Sequence, residues 1–246
     1  MAGKCRIAVK LDSVMATIDP NIYGHFIEHL GSCVYPGIWV GKRHKAADKY
    51  GFRKEVVEAL RNVCAPVVRW PGGCFADFYH WEDGIGPSGE RPNRINLWWG
   101  GLETNEFGTD EYARFCSVVG AEPYICLNVG SGNPKEASSW LEYCNFEGKS
   151  SYARLRAKNG YRKPHNVRYW GIGNENYACG GSFDPLHYAS EYRRFATFLK
   201  RFDPSVKLIA CGHTAGDWNL RFMESLKDQL HLIDYLSIHH YFGDKK

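Results

Sequence analysis

Val167-Arg-Tyr-Trp-Gly-Ile-Gly173, followed directly by Asn174-Glu175-Asn176, is the stretch of sequence that indicates the fold. Its first part is short and mostly apolar, like a buried strand, and it ends abruptly in polar side chains. Similar runs recur along the 246 residues of the chain, with helical or irregular sequence between them. This alternation predicts an α/β protein in which crossover helices join parallel strands.

Six strands are predicted in this way. They occupy residues 22–27, 66–70, 123–129, 167–173, 206–211 and 233–238. Apolar residues at helical spacing predict helices over 53–64, 134–143, 185–202 and 218–227. A further helix is predicted to end at Val119, with Thr109 or Asp110 as its N-cap. Residues 72–108 are rich in glycine and tryptophan and are predicted to be irregular.

Polar residues follow strand after strand, and their distribution favours a barrel over an open sheet. In a (β/α)8 TIM barrel all carboxyl ends of the strands meet at one face, whereas an open sheet gathers only those near its switch point. The residues concerned are Glu28, Gly72-Gly73-Cys74, Asn128, Asn174-Glu175, His213 and His239-His240-Tyr241. We therefore predict a TIM barrel that is incomplete in this chain, because about six of its eight strands precede Lys246.

Charge and hydropathy exclude two classes of partner. The net charge is +4, and no run of five like charges occurs, so we expect no nucleic-acid partner. No apolar stretch approaches the roughly 18 residues of a membrane span, and residues 1–20 lack the apolar core of a signal peptide. We therefore expect no membrane partner.

Nine cysteines are scattered through the chain without a C-x-x-C pair. Neither a disulfide framework nor a structural zinc site is expected from this spacing. Reduced, buried thiols and a cytoplasmic location fit the pattern best.

The remaining motifs do not predict a cofactor. Gly84-Ile-Gly86-Pro-Ser-Gly89 matches the dinucleotide-binding pattern in letters, but no strand precedes it and no helix follows it. The histidines do not have the spacing of a metalloprotease or zinc finger. We expect neither cofactor nor metal.

Glu175 is the carboxylate with a clear chemical use. A glutamic acid at a strand end can protonate a leaving glycosidic oxygen, and the amide of Asn174 can bind a sugar hydroxyl next to the reacting carbon. The alternative is a glutamate in a solvated loop after a buried strand. The position after Gly173 in an aromatic-rich barrel sequence favours the catalytic interpretation.

The sequence resembles the α-L-arabinofuranosidases of glycoside hydrolase family 51. The matching stretches are Asn21-Ile-Tyr-Gly-His-Phe-Ile-Glu-His-Leu-Gly31, Arg69-Trp-Pro-Gly-Gly-Cys-Phe-Ala-Asp77, Tyr79-His-Trp-Glu-Asp-Gly-Ile-Gly-Pro87, Asn96-Leu-Trp-Trp-Gly-Gly-Leu-Glu-Thr-Asn105, Asn128-Val-Gly-Ser-Gly132 and Gly171-Ile-Gly-Asn-Glu-Asn176. They are long, keep their order and extend over essentially the whole chain.

The resemblance implies a retaining enzyme with a (β/α)8 barrel and a β-sandwich, in which Glu175 is the acid/base. It also implies that Glu28, Cys74, Asn174 and Tyr241 line the pocket for the terminal furanose, and that Trp98 and Trp99 border it. Other roles stay open: Glu28 as a partner of Arg69, Cys74 acting through its backbone, Tyr241 in the core, and both tryptophans as packing under the long loop. His239 and His240 are expected to hydrogen-bond to the groups that react.

A retaining mechanism needs a second carboxylate, about 5–5.5 Å from the acid, as nucleophile. In the family this residue ends the seventh strand, which lies beyond the six predicted here. Glu28, Glu103 and Glu106 are the nearest alternatives, and we reject them because none has the expected position. In a complete enzyme containing this segment, the neighbouring nucleophile and partial burial should raise the pKa of Glu175.

The chain is accordingly expected to contain residues 1–18 as a strand of the β-sandwich and residues 19–246 as the first six β/α units of the barrel. Its partners would be an arabinose-containing oligo- or polysaccharide, the C-terminal remainder of the enzyme and further copies in a homo-oligomer. The alternatives are a non-catalytic carbohydrate-binding fragment and another barrel glycosidase such as a xylanase. The Arg69-Trp-Pro-Gly-Gly-Cys74 stretch favours the arabinofuranosidase.

Overall fold

A six-stranded parallel sheet, curled into half a barrel, forms the centre of the computed structural model, which describes residues 5–243. In chain order the strands are β1 (His25–Phe26), β2 (Val67–Trp70), β3 (Arg94–Ile95), β4 (Leu102–Glu103), β5 (Glu122–Leu127), β6 (Tyr169–Ile172), β7 (Lys207–Cys211) and β8 (Tyr235–Ser237). The sheet has the order β1-β2-β5-β6-β7-β8, and β3 and β4 form a separate antiparallel pair. The predicted α/β class and partial barrel are confirmed.

Six α-helices accompany the strands. They are α1 (Lys54–Asn62), α2 (Thr109–Val119), α3 (Pro134–Asn145), α4 (Ser151–Lys158), α5 (Pro185–Phe202) and α6 (Trp218–Ser225). Short 3-10 helices cover Pro20–Tyr23, Cys74–Phe78, Trp81–Gly84, Ser88–Glu90 and Lys227–Leu232. The five predicted helices are confirmed, whereas α4 was not predicted.

The predicted N-cap of α2 is wrong. The cap is Gly108, whose N–H donates to the side chain of Glu111. Thr109 and Asp110 lie inside the helix, and their side chains are buried. Trp140 Nε1, on α3, donates to Thr109 Oγ1. This hydroxyl therefore hydrogen-bonds to α3 and does not cap α2.

Aromatic side chains make up much of the core between the sheet and the helices. Trp70 stacks on Tyr112 with ring centroids 4.9 Å apart, and Trp81 stacks on Trp140 at 6.0 Å. Each of the four is at most 2% exposed. These buried rings therefore stabilise the fold, since they contribute large apolar areas.

Residues 5–19 precede the barrel as an exposed segment without helix or strand. Ile7, Val9 and Leu11 are 77–88% exposed, and within residues 5–243 this segment pairs with no strand. A place in a β-sandwich remains a prediction, and residues 1–4 of that predicted strand lie outside the described residues. None of the helices in the described part combines the length and apolar character needed to cross a membrane.

Apolar side chains next to the outer strands β1 and β8 are exposed at both ends of the sheet. Ile22, in the 3-10 helix that precedes β1, is 72% exposed, and Ile238, directly after β8, is 58% exposed. Open strand edges with apolar neighbours promote association with other chains. We therefore predict that the 246-residue chain alone self-associates, which light scattering after size-exclusion chromatography would detect.

Ile22→Lys and Ile238→Lys together should shift the chain toward monomer. The control Leu220→Lys changes a residue of similar exposure on α6, away from both edges, and should leave association unchanged. A monomeric wild-type chain with a cooperative melt above about 60 °C, high for a mesophilic domain, would contradict this prediction.

Candidate active site

A cavity of about 1100 Å³ opens inside the half barrel, toward the carboxyl ends of the strands. Its lining includes side chains from the carboxyl ends of β1, β2, β6 and β8, together with one from the loop between β3 and β4: Glu28, Arg69, Cys74, Asn174, Glu175, His239, Tyr241 and, from that loop, Trp99. All predicted site residues except Trp98 therefore contribute to one surface. Trp98 is 43% exposed and lies outside this lining.

Glu175 is half-buried in the loop after β6 and is held through one of its two oxygens. His239 Nδ1 lies 2.8 Å from Glu175 Oε1, and the hydroxyl of Tyr241 donates weakly to the same atom at 3.4 Å. The other oxygen, Oε2, faces Cys179 Sγ at 4.0 Å. Tyr241 is 85% exposed, so its alternative assignment to the core is wrong.

The hydrogen bond from His239 lowers the pKa of Glu175, against the opposing effect of partial burial. In this chain both His239 and Arg69 favour the carboxylate form. The expected rise in the pKa of Glu175 concerns the complete enzyme with its second carboxylate, and it stays a prediction.

Gly173 permits the sharp turn that brings Asn174 and Glu175 to the cavity. Its φ is +80°, and a Cβ there would lie 1.9 Å from Asn176 Oδ1. A larger residue at this position would have to displace the loop.

Asn174 has a defined amide orientation because Arg69 can only donate. Arg69 Nη1 donates to Asn174 Oδ1 at 2.9 Å, and Asn174 Nδ2 has only a long contact of 4.0 Å to Cys179 Sγ, so this donor can also serve a ligand. The side chain is 3% exposed. A buried donor beside the acid is suited to a ligand hydroxyl.

Glu28 is fixed by two donors that both reach Oε1. Trp99 Nε1 donates at 2.9 Å and the Phe75 N–H at 3.1 Å, so Oε2 is available to a ligand. Gly72 and Gly73 pack directly on this side chain, where a Cβ would lie 2.3 and 2.7 Å from Glu28 atoms. Within residues 5–243 no ion pair joins Glu28 to Arg69, so their proposed partnership is not direct.

Glu103 and Glu106 have other partners. Trp70 Nε1 donates to His29 Nε2 at 2.9 Å, so His29 carries its proton on Nδ1 and donates it to Glu103 Oε2 at 2.6 Å. Burial opposes the charge of Glu103, but the bond to His29 lowers its pKa. Glu106 accepts from Trp39 and, like Glu103, lies outside the cavity lining.

Asp77, which the sequence analysis did not single out, lies beneath the site. Its Oδ1 accepts from the N–H groups of Val129 and Gly130 and from Asn176 Nδ2, and its Oδ2 accepts from the Asn174 N–H. The only sequence signal was a carboxylate three residues after Cys74, in a stretch that resembled a turn.

Cys74 forms a disulfide with Cys179, so the expectation of wholly reduced cysteines is wrong in this structure. The two are 105 residues apart in sequence. Cys74 follows β2 and Cys179 follows β6, and only the curvature of the sheet brings their loops together. The other seven cysteines are free.

Comparison with known proteins places the site in context. Residues 59–246 match the family described as the alpha-L-arabinofuranosidase 1 domain. The chain is 44% identical over 237 residues to the intracellular exo-alpha-L-arabinofuranosidase of Bacteroides ovatus, covering 96% of the chain and 46% of the relative. Alpha-L-arabinofuranosidase C of Emericella nidulans is 42% identical and is covered to 49%.

Solved structures of arabinofuranosidases also have a fold similar to that of this chain. The fold is similar to the alpha-L-arabinofuranosidase of Thermotoga maritima in complex with arabinose, with a TM-score of 0.86, 46% identity and coverage of 91% of this chain and 46% of that one. It is also similar to the GH51 arabinofuranosidase of Xanthomonas axonopodis pv. citri, with a TM-score of 0.88, 39% identity and 93% and 47% coverage. The chain thus spans about half the length of these relatives.

Asp77 generates a pH-dependent prediction. Complete burial raises its pKa from 3.8 to about 6, despite the four donated hydrogen bonds. Because the folded state then binds the proton more tightly than the unfolded state, the stability contributed by Asp77 is fully present below about pH 4 and is lost as the pH rises through 6. The difference corresponds to about 3 kcal/mol.

Urea unfolding of the full protein at several pH values should therefore show a wild-type advantage over Asp77→Asn that is largest near pH 4 and shrinks toward pH 7. Asp228→Asn, on the surface, is the control and should show no such trend. An advantage that grows with pH would mean that the four hydrogen bonds outweigh burial.

Proposed function

Because the chain belongs to the α-L-arabinofuranosidase family, glycoside hydrolase family 51, we propose that the protein containing it is a retaining α-L-arabinofuranosidase. It releases terminal non-reducing arabinofuranosyl residues from arabinan, arabinoxylan or arabino-oligosaccharides. This chain supplies the acid/base half of the site. The observation that carries the proposal is the placement of Glu175 and Asn174 side by side on the cavity, with Arg69 and His239 orienting them.

Glu175 acts twice. In the first step its proton passes to the leaving glycosidic oxygen, while a second carboxylate forms a bond to the anomeric carbon. In the second step Glu175 takes a proton from water, and the water oxygen displaces that carboxylate. The second carboxylate, placed about 5–5.5 Å away, raises the pKa of Glu175 and so supplies the protonated form for the first step.

The other cavity residues bind the sugar. Asn174 Nδ2 donates to the hydroxyl beside the anomeric carbon, Glu28 Oε2 accepts from another hydroxyl, and Tyr241 and Trp99 border the ring. Cys74 lines the same surface as part of its disulfide. Support comes from the Thermotoga maritima relative, whose structure is an arabinose complex.

Three features of the wider context belong to the same proposal. The remaining barrel strands bind at the open edges of β1 and β8 and supply the nucleophile, and the complete protein forms a homo-oligomer. The protein is cytoplasmic and serves hemicellulose degradation and arabinose catabolism. The Bacteroides ovatus relative, named as intracellular, supports this location.

A non-catalytic carbohydrate-binding role is the second candidate, because the described cavity lacks a free nucleophile. Besides Glu175, its carboxylates are Asp19 and Glu28. Asp19 caps the 3-10 helix Pro20–Tyr23, and Glu28 is bound by Trp99.

The two candidates make different predictions for catalysis. We predict that the 246-residue chain alone hydrolyses aryl α-L-arabinofuranosides negligibly, since loss of the covalent step removes several orders of magnitude in rate. Assays should therefore show activity only with the complementary barrel segment present. Turnover near 1 s⁻¹ or more by the pure chain would contradict our assignment of roles.

Glu175→Ala in the full protein provides the sharper test. Substrates with good leaving groups need no proton, so the covalent intermediate still forms, but it accumulates because no base activates water. Azide, a nucleophile that needs no base, should displace the enzyme carboxylate from the covalent intermediate, restore turnover and yield an α-linked glycosyl azide, with the configuration of the substrate retained. The surface variant Glu224→Ala should behave as wild type. Equal losses on activated and unactivated substrates, without rescue, would exclude Glu175 as the acid/base.

A further inference from the structure

Cys74, Cys179 and Glu175 form a group of three metal-binding side chains in the described residues. One ligand atom from each, two sulfurs and a carboxylate oxygen, lie within 4.8 Å of one another. We propose that reduction of the Cys74–Cys179 disulfide creates a site for a thiophilic divalent cation, such as Zn²⁺, that uses these three ligands and thereby blocks Glu175.

The free oxygen of Glu175 points in the required direction. His239 occupies Oε1, whereas Oε2 faces Cys179 Sγ at 4.0 Å. Zinc–sulfur and zinc–oxygen bonds of about 2.3 and 2.0 Å hold such donors about 3.5 Å apart, so a small closure is enough. His239 would keep its hydrogen bond to Oε1 and so orient the metal-bound carboxylate, as outer hydrogen-bond partners commonly do.

The two cysteines remain close when the covalent bond is broken. Cys74 and Asp77 belong to the same 3-10 helix, and Asp77 is hydrogen-bonded to Asn174 and Asn176 in the segment that carries Cys179. These contacts do not depend on the disulfide. Reduction therefore separates the sulfurs by side-chain rotation while the backbone stays in place.

The net charge of the ligands and the chemistry of reduction are both compatible with a zinc site. Two thiolates and a carboxylate bind Zn²⁺ with a net charge of −1, and Arg69, which favours the charged form of Glu175, offsets this charge.

A cellular monothiol, RSH, supplies the electrons for reduction: the protein disulfide and two RSH give two cysteine thiols and RSSR. The cation then displaces the two thiol protons, and water completes a four-coordinate site.

Cobalt(II) is the probe, because thiolate ligation gives a charge-transfer band and tetrahedral geometry gives intense visible bands. The protein is reduced with a trialkylphosphine, which becomes the phosphine oxide by taking its oxygen from water, and is then desalted without oxygen. We expect one Co²⁺ per chain with both spectral features after reduction, and neither in the oxidised protein. Zn²⁺ should displace the cobalt and abolish the bands.

Variants locate the site. Cys74→Ser and Cys179→Ser should each remove the two-thiolate spectrum, and Glu175→Gln should keep a thiolate band but weaken binding by about tenfold or more. Cys64→Ser, which changes an exposed free cysteine, is the matched control and should bind like wild type. Circular dichroism verifies folding, and the oxidised wild type serves as a reference that needs no mutation.

Absence of the band in the reduced wild type, or equal binding by the oxidised protein or by the Cys74→Ser/Cys179→Ser double variant, would overturn the proposal. Only the blocking of Glu175 rests on the proposed function. It is measured as Zn²⁺ inhibition of the reduced full protein that a chelator reverses. If the full protein is inactive in every state, the proposed function fails while the cobalt titration still decides the metal site.

Discussion

The buried carboxylate of Asp77 is the interaction on which the site depends. Its four donors come from the loops after β5 and β6, while Asp77 itself belongs to the turn after β2. A charged group without water needs this number of partners, because an unsatisfied buried carboxylate would be strongly destabilising. Three strand ends are thereby fixed relative to one another, and the backbone of Asn174 is one of the groups that fix them.

The Cys74–Cys179 disulfide repeats this connection covalently. It joins the same turn to the same loop, so the segment that carries Glu175 is attached to β2 by both a hydrogen-bonded and a covalent link. The hydrogen bonds determine position, while the covalent link depends on the redox environment. A site with this arrangement can change its chemistry on reduction without losing its geometry.

Local sequence was sufficient for the strands and for the residues at their ends, because strand composition and abrupt polar termination are local properties. It failed where distant contacts decide. Helix α4 was missed because Arg156, rather than an apolar stripe, anchors it by donating to the backbone carbonyls of Tyr143, Phe146 and Tyr161. Similarly, the buried bonds made by Thr109 and Asp110 prevail over their local tendency to cap α2.

The site was predictable to the same extent. Asn174 and Glu175 were identified from their position after a strand, and the role of Glu28 came from the family resemblance, whereas Asp77 and Cys179 become important only once the sheet curls. Trp98 and Trp99 show the difference within two residues: local sequence treats them alike, but only Trp99 reaches Glu28. Which of two adjacent side chains reaches the cavity depends on the conformation of the long loop, which neither periodicity nor composition determines.

The pKa of Glu175 in this chain differs from the one that an acid catalyst needs. His239 and Arg69 favour the carboxylate form, which lowers the pKa of the residue expected to donate a proton. Under the proposed function, a second carboxylate within about 5–5.5 Å would reverse this balance, because two adjacent negative charges favour protonation of one of them. Completion of the barrel would therefore create the proton donor electrostatically, without any change in the residues that surround it.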